Sequence, residues 1–138
     1  MVPIERSETL AMRWPDGGQH VGEIELAAGY VLRTEVDREA FTSVQASIDF
    51  SVTETVWSKL TESLVKGAMV FAETDDTQTP VAVAAAERRA DGWAELGWVA
   101  VDPAHRGAGL GLAVCASLTA HLLAGGEARL FGSTQDYR

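Results

Sequence analysis

Residues 100–114 read AVDPAHRGAGLGLAV. Glycines 107, 109 and 111 stand at alternate positions between a charged turn and an apolar run. Each glycine inside a helix or strand costs roughly 0.5–1 kcal/mol relative to alanine. Three of them at a helix entrance therefore point to a ligand that needs a bare backbone. A strand that feeds a glycine-rich turn into a helix is an anion site, because first-turn N–H groups have no partner and carry the positive end of the helix dipole. Arg106 adds a cation that suits phosphate oxygens. Two familiar phosphate loops are excluded. A Walker A loop needs Gly-Lys followed by Ser or Thr, and Leu112 follows Gly111. A dinucleotide G-x-G-x-x-G fails in both registers, since its third position falls on Leu112 or Val114. What remains is Arg106-x-x-Gly109-x-Gly111.

Working outward, the chain alternates strand and helix signals. YVLRT (30–34) reads as a strand. Asp37 is a helix N-cap, and Phe41, Val44 and Ile48 recur at helical spacing. A second helix is expected from about Ser51, with Ser51 and Glu54 as a capping box, Val56, Leu60 and Leu64 on one face, and Gly67 as its terminator. AMVFAE (68–73) reads as a strand, DDTQTP (75–80) as a turn and VAVAAAERRA (81–90) as the next strand. Asp91-Gly92 is a hairpin signal, and WAELGWVAV (93–101) returns beside it. Residues 110–124 form an apolar helix closed by Gly125-Gly126, and ARLFGST (128–134) is a last strand. The order β-α-α-β-β-β-α-β implies an antiparallel meander, a crossover helix and a final parallel strand. This is a mixed α/β sheet in one domain, residues 29–138. Residues 1–28 read as an N-terminal extension with a short strand and a turn-rich WPDGGQH (14–20), and no function attaches to them.

Composition narrows the classes of function. The 138 residues suit one domain; 46% are hydrophobic and 22% charged, as in an ordinary globular protein. A net charge of −9 excludes nonspecific nucleic-acid binding and adsorption to anionic membranes, and favours cationic ligands at long range. No apolar run approaches the ~20 residues of a membrane helix. The N-terminus lacks an apolar signal region, and Cys115 is the single cysteine, so the expected compartment is the reducing cytoplasm. Three scattered histidines and one cysteine give no metal-ligand spacing.

With Val99-Ala100-Val101-Asp102-Pro103 before it and an apolar helix after it, Arg106-x-x-Gly109-x-Gly111 resembles the acetyl-CoA-binding motif of the GCN5-related N-acetyltransferases, the GNAT family. The resemblance covers residues 29–134. It implies an acyl-CoA N-acyltransferase fold: three layers around a mostly antiparallel sheet, here shortened at the C-terminus. It implies that the backbone of Val99, Ala100 and Val101 pairs with the pantetheine arm of acetyl-CoA. It further implies that Arg106, Gly107, Ala108, Gly109, Leu110, Gly111 and Leu112 cradle the pyrophosphate. Strands 93–101 and 128–134 would splay into a V-shaped cleft, with a small-molecule or peptide amine entering from the side of the first two helices. The reaction implied is direct acetyl transfer from cofactor to amine.

That chemistry needs a base for the ammonium, a donor for the thioester oxyanion and a proton for the leaving thiolate. Glu95 is the expected base. Under simple alternation it shares a face with Gly97 and Val99; a bulge in its strand would change that parity. Glu73 and Glu87 are the reserves. The plain alternative for Glu95 is an ion-paired surface residue. His105 and His121 read as a solvated turn residue and a helix C-terminal residue, Cys115 as a buried thiol, and Trp57 or Phe50 as candidate cleft lining. The family continues into a helix whose tyrosine often acts as general acid. Gln135-Asp136-Tyr137-Arg138 stand where that helix would begin, and Tyr137 is off the motif position. Strand 128–134 is then expected to carry an open edge, which a second copy of the chain could complete as a homodimer. The competing expectation is a catalytically silent CoA-binding or interaction module, or a fragment of a longer chain.

Overall fold

The structure, a computed structural model, describes residues 2–3, 9–13 and 24–135. Its strands are β1 (Val2–Pro3), β2 (Thr9–Arg13), β3 (Tyr30–Thr34), β4 (Leu64–Thr74), β5 (Pro80–Arg88), β6 (Ala94–Val101) and β7 (Leu130–Gln135). The helices are α1 (Arg38–Ala46), α2 (Glu54–Ser63) and α3 (Leu110–Ala124). All seven strands share one sheet in the order β1-β2-β7-β6-β5-β4-β3. The β3-β4-β5-β6 run is antiparallel, and β6 pairs with β7 in parallel. The mixed sheet and its three helices agree with the sequence expectation.

The helices cover both faces. Leu110, Val114, Leu118 and Leu122 of α3 recur at helical spacing and pack on Val70, Ala84, Ala86 and Leu96. Phe41 and Val44 of α1 and Leu60 of α2 pack on Met69, Phe71, Val83 and Ala100 of the other face. Alanines 82 and 84–86 of β5 are fully buried. Their small side chains let both helical layers close on the central strand.

Local chemistry sets most boundaries. The Asp37 carboxylate accepts from the Ala40 N–H and starts α1. The α2 cap is Thr53, which accepts from the Val56 N–H, in place of the expected Ser51. Gly67 does not end α2 either. The helix stops at Ser63, β4 begins at once, and Gly67 sits inside that strand with φ +68° at a register irregularity between Leu64 and Met69.

The edge of β7 expected to be open is covered by the same chain. Thr9 to Arg13 pair antiparallel with Gln135 to Phe131, and β1 pairs with β2 outside them. The N-terminal stretch thus contributes strands to the sheet, and that edge needs no second copy. The breaker at 14–20 and Tyr137 lie outside the described residues. No helix among the described residues is long and apolar enough to cross a membrane.

Candidate active site

The glycine loop is fastened before it opens. At the end of β6 the Asp102 N–H donates to the Val81 carbonyl (2.8 Å) of β5, and its carboxylate accepts from the Ala104 N–H (2.9 Å). Pro103, Ala104 and His105 form a single 3₁₀ turn. His105 is half-buried, contrary to the solvated turn residue expected: its Nδ1 lies 2.9 Å from the Tyr30 hydroxyl of β3, and the two rings meet edge-on at 5.8 Å. The V-D-P-x-H segment therefore anchors the loop to two strands.

Beyond it the backbone takes left-handed conformations, at Gly107 (φ +90°) and Gly109 (φ +74°). Gly109 is the N-cap of α3 and supplies no side-chain bond to its first turn. A side chain at 107 or 109 would meet no protein atom within 4 Å, so conformation, not crowding, selects glycine there. At Gly111 a Cβ would make ordinary contacts of 3.5 Å with Val101 Cγ2 and 4.0 Å with Val99 Cγ1. Packing inside the protein does not require glycine at 111. Arg106 is exposed, without a side-chain partner among the described residues, and Leu112 is 78% exposed in the first turn of α3. The site residues expected from the loop motif thus stand together around an open helix N-terminus, with Val99 and Val101 beneath.

A cleft opens next to this loop. The β6–β7 pairing runs only through Ala94↔Leu130, Glu95↔Phe131 and Leu96↔Gly132. Beyond it β7 keeps its register with β2 to Gln135, while β6 continues beside β5 alone to Val101. The strands part at a bulge. Between the pairs Ala85↔Gly97 and Val83↔Ala100, β6 spends one residue more than β5. Trp98 absorbs it with φ +56°, a conformation that costs a bulky residue about 1–2 kcal/mol. Three contacts hold it there. Its carbonyl accepts from Gln45 Nε2 of α1 (3.0 Å), its indole N–H donates to Glu87 Oε1 (3.0 Å), and its ring meets Phe41 and Phe50 at 5.6 and 5.7 Å.

The bulge reverses the parity that simple alternation gives. Leu96, Val99 and Val101 pack on the α3 face, whereas Trp98 and Ala100 pack on the α1–α2 face. Glu95, next to Leu96 and directly opposite Glu87, belongs to the α1–α2 face and not to that of Val99. It sits at the closed end of the cleft, on the side expected for the acceptor.

The carboxylates on this face are engaged. Glu95 accepts a charge-assisted bond from Arg89 Nε. Glu87 accepts from Trp98, from Arg89 (3.2 Å) and from the Ser63 hydroxyl (2.6 Å). Glu73 lies at the other end of the sheet beside Pro80, bonded to Arg33 Nε at 2.7 Å. The Cys115 thiol is pushed up to about 11 by burial, which suits an inert core residue. Trp57 packs against the core of the α1–α2 face, and Phe50, 39% exposed, meets the Trp98 ring edge-on. Sequence reasoning missed Gln45, Arg89 and Ser63. Gln45 left one signal, a polar residue beside Val44 on the apolar stripe of α1; it is 3% exposed.

Comparison with known proteins bears on this geometry. Residues 33–136 match the acetyltransferase (GNAT) family. No curated protein matches the chain. Among solved structures, a GCN5-related N-acetyltransferase from Sphaerobacter thermophilus superposes with TM-score 0.75 at 21% identity, covering 93% of this chain and 42% of that one. One from Kribbella flavida gives 0.61 at 23% identity, covering 97% and 49%. A CoA complex of a GNAT-family N-acetyltransferase from Escherichia coli gives 0.61 at 20% identity, covering 80% and 64%. The chain spans less than half the length of the first two. With three-quarters of its residues inside the family match, and with this loop, bulge and splayed pair of strands, the chain belongs to the GNAT acetyltransferase family.

Proposed function

We propose that the chain binds acetyl-CoA and transfers its acetyl group to an amine. The observation that carries this reading is the open N-terminus of α3 behind Gly107 and Gly109, next to the point where β6 and β7 part. Amides from Gly107 to Leu112 would hold the pyrophosphate, with Arg106 supplying charge. The free side of β6 at Val99, Ala100 and Val101 would pair with the pantetheine arm as an added strand does. Acetyl-CoA supplies an activated thioester. Glu95 would take the proton from the ammonium so that the amine can attack the thioester carbon, and a β6 amide at the bulge would donate to the developing oxyanion. Collapse of the adduct would break the C–S bond and release CoA as a thiolate that is protonated from solvent. The acceptor enters over the α1–α2 face, past Phe50 and Trp57. Its class is a small-molecule or peptide amine; a net charge of −9 favours a cationic one. A cytoplasmic setting fits the lone cysteine.

Calorimetry with acetyl-CoA tests the binding; no heat at millimolar cofactor refutes it. A second reading, a silent CoA-binding module, draws on one observation: Arg89 already engages both Glu95 and Glu87. Cofactor binding without CoA release across a broad panel of amines would favour it. Turnover that falls in Glu95→Gln would exclude it.

A further inference from the structure

Gln45 is polar, 3% exposed and set in the apolar face of α1, where a hydrophobic residue would pack without needing a hydrogen bond. Its Nε2 reaches across to the carbonyl of Trp98 at 3.0 Å. In an unbroken strand that carbonyl would lie in the plane of the sheet and bond to a neighbouring strand. Here it accepts from a side chain of helix α1, at the one β6 residue with positive φ. A trans peptide points its N–H opposite to its C=O. The peptide that aims the Trp98 carbonyl at α1 thus aims the Val99 N–H away from α1. That is the side of the sheet carrying Val99, Val101 and the loop 106–112.

Resting on the acetyl-transfer reading above, we propose that Gln45 is a positioning residue: by clamping the Trp98 carbonyl it holds the Val99 N–H toward the acetyl carbonyl of the bound thioester. The other fastenings of Trp98 act elsewhere on the residue. Glu87 holds the indole N–H, and Phe41 and Phe50 hold the ring. Gln45 alone among them bonds the peptide group itself. Removing it frees that peptide to rotate while the ring stays packed. Losing an aimed oxyanion donor costs roughly 100- to 1,000-fold in turnover, which sets the upper bound for loosening one.

The test reads the carbonyl of bound acetyl-CoA by infrared difference spectroscopy, with the acetyl carbonyl isotope-labelled, so no acceptor is needed. In the wild type the stretch is expected at lower frequency than in Gln45→Leu, with affinity for CoA within about threefold, because the phosphate cradle is untouched. Gln45→Glu supplies a second readout. A protonated carboxyl donates to the Trp98 carbonyl and an ionised one cannot. Its band should match the wild type at acidic pH and the leucine variant at alkaline pH. Identical bands in all three proteins, or a Gln45→Glu band that ignores pH, overturns the role of Gln45 and leaves cofactor binding standing. A wild-type chain that binds neither CoA nor acetyl-CoA overturns both.

Discussion

The two ends of the cleft are built from different materials. At the proposed cofactor end the groups are backbone amides between Gly107 and Leu112, where Gly107 and Gly109 take positive φ. At the proposed acceptor end the groups are side chains drawn from α1, α2, β5, the turn after it and β6: Gln45, Ser63, Glu87, Arg89, Glu95 and Trp98. The loop is one run of consecutive residues, fastened to the sheet through Asp102 and His105. A cluster of side chains exists only when four elements have docked. On the proposed reading, damage to the core is therefore expected to disturb the second end more than the first.

The largest effect expected from breaking this contrast is catalytic. Glu95→Gln should lower kcat by about 100- to 10,000-fold with cofactor affinity unchanged, as loss of a general base does. Steady-state kinetics against a responsive amine, paired with calorimetry, reads both quantities, and an unchanged kcat would move the role to Glu87. Next comes Phe41→Ala. Phe41 is fully buried and touches both Trp57 and Trp98 at 5.6 Å. Its truncation should cost about 3–5 kcal/mol in denaturant unfolding and disorganise the acceptor end.

Gly109→Val should do the reverse. A Cβ at 109 meets no protein atom within 4 Å, but a β-branched residue is strained at φ +74°. Loss of two charge-assisted amide bonds predicts about 100-fold weaker CoA binding, with the helix core intact by circular dichroism. The smallest effect concerns α1, which carries Gln45. The Ala40 N–H, and with it the Arg33 guanidinium at 3.2 Å, holds the Asp37 carboxyl below its ordinary 3.8. A depressed carboxylate stabilises the fold above its unfolded value, and that contribution is lost as pH falls through the folded one. Asp37→Ala should cost about 1 kcal/mol at neutral pH and flatten the loss of stability below pH 3.8, measured by urea unfolding at several pH values.

Legibility in the sequence follows the same division. Asp37, the Asp91-Gly92 turn, and the span 110–124 closed by Gly125-Gly126 were readable because caps and turns act within three or four residues. The Arg106-x-x-Gly109-x-Gly111 loop was readable for the same reason. Gly67 misled because positive φ serves a strand irregularity as well as a helix end. The face of Glu95 was unreadable without the bulge, since one extra residue sends every later side chain to the opposite face. Arg89 carried no signal of its own, and its part is visible only once Glu87 and Glu95 stand opposite each other on neighbouring strands.

The sequence by itself determined the order of elements from Tyr30 onward, the helix cap at Asp37, and the glycine loop at the entrance of α3. Each depends on φ preferences and hydrogen bonds among adjacent residues. Only the tertiary structure decided that β2 closes the β7 edge, that Trp98 carries the bulge, and that Gln45 holds the peptide which turns there. Those outcomes depend on strand register and on which side chains packing brings face to face, and residues 53 positions apart carry no local trace of meeting.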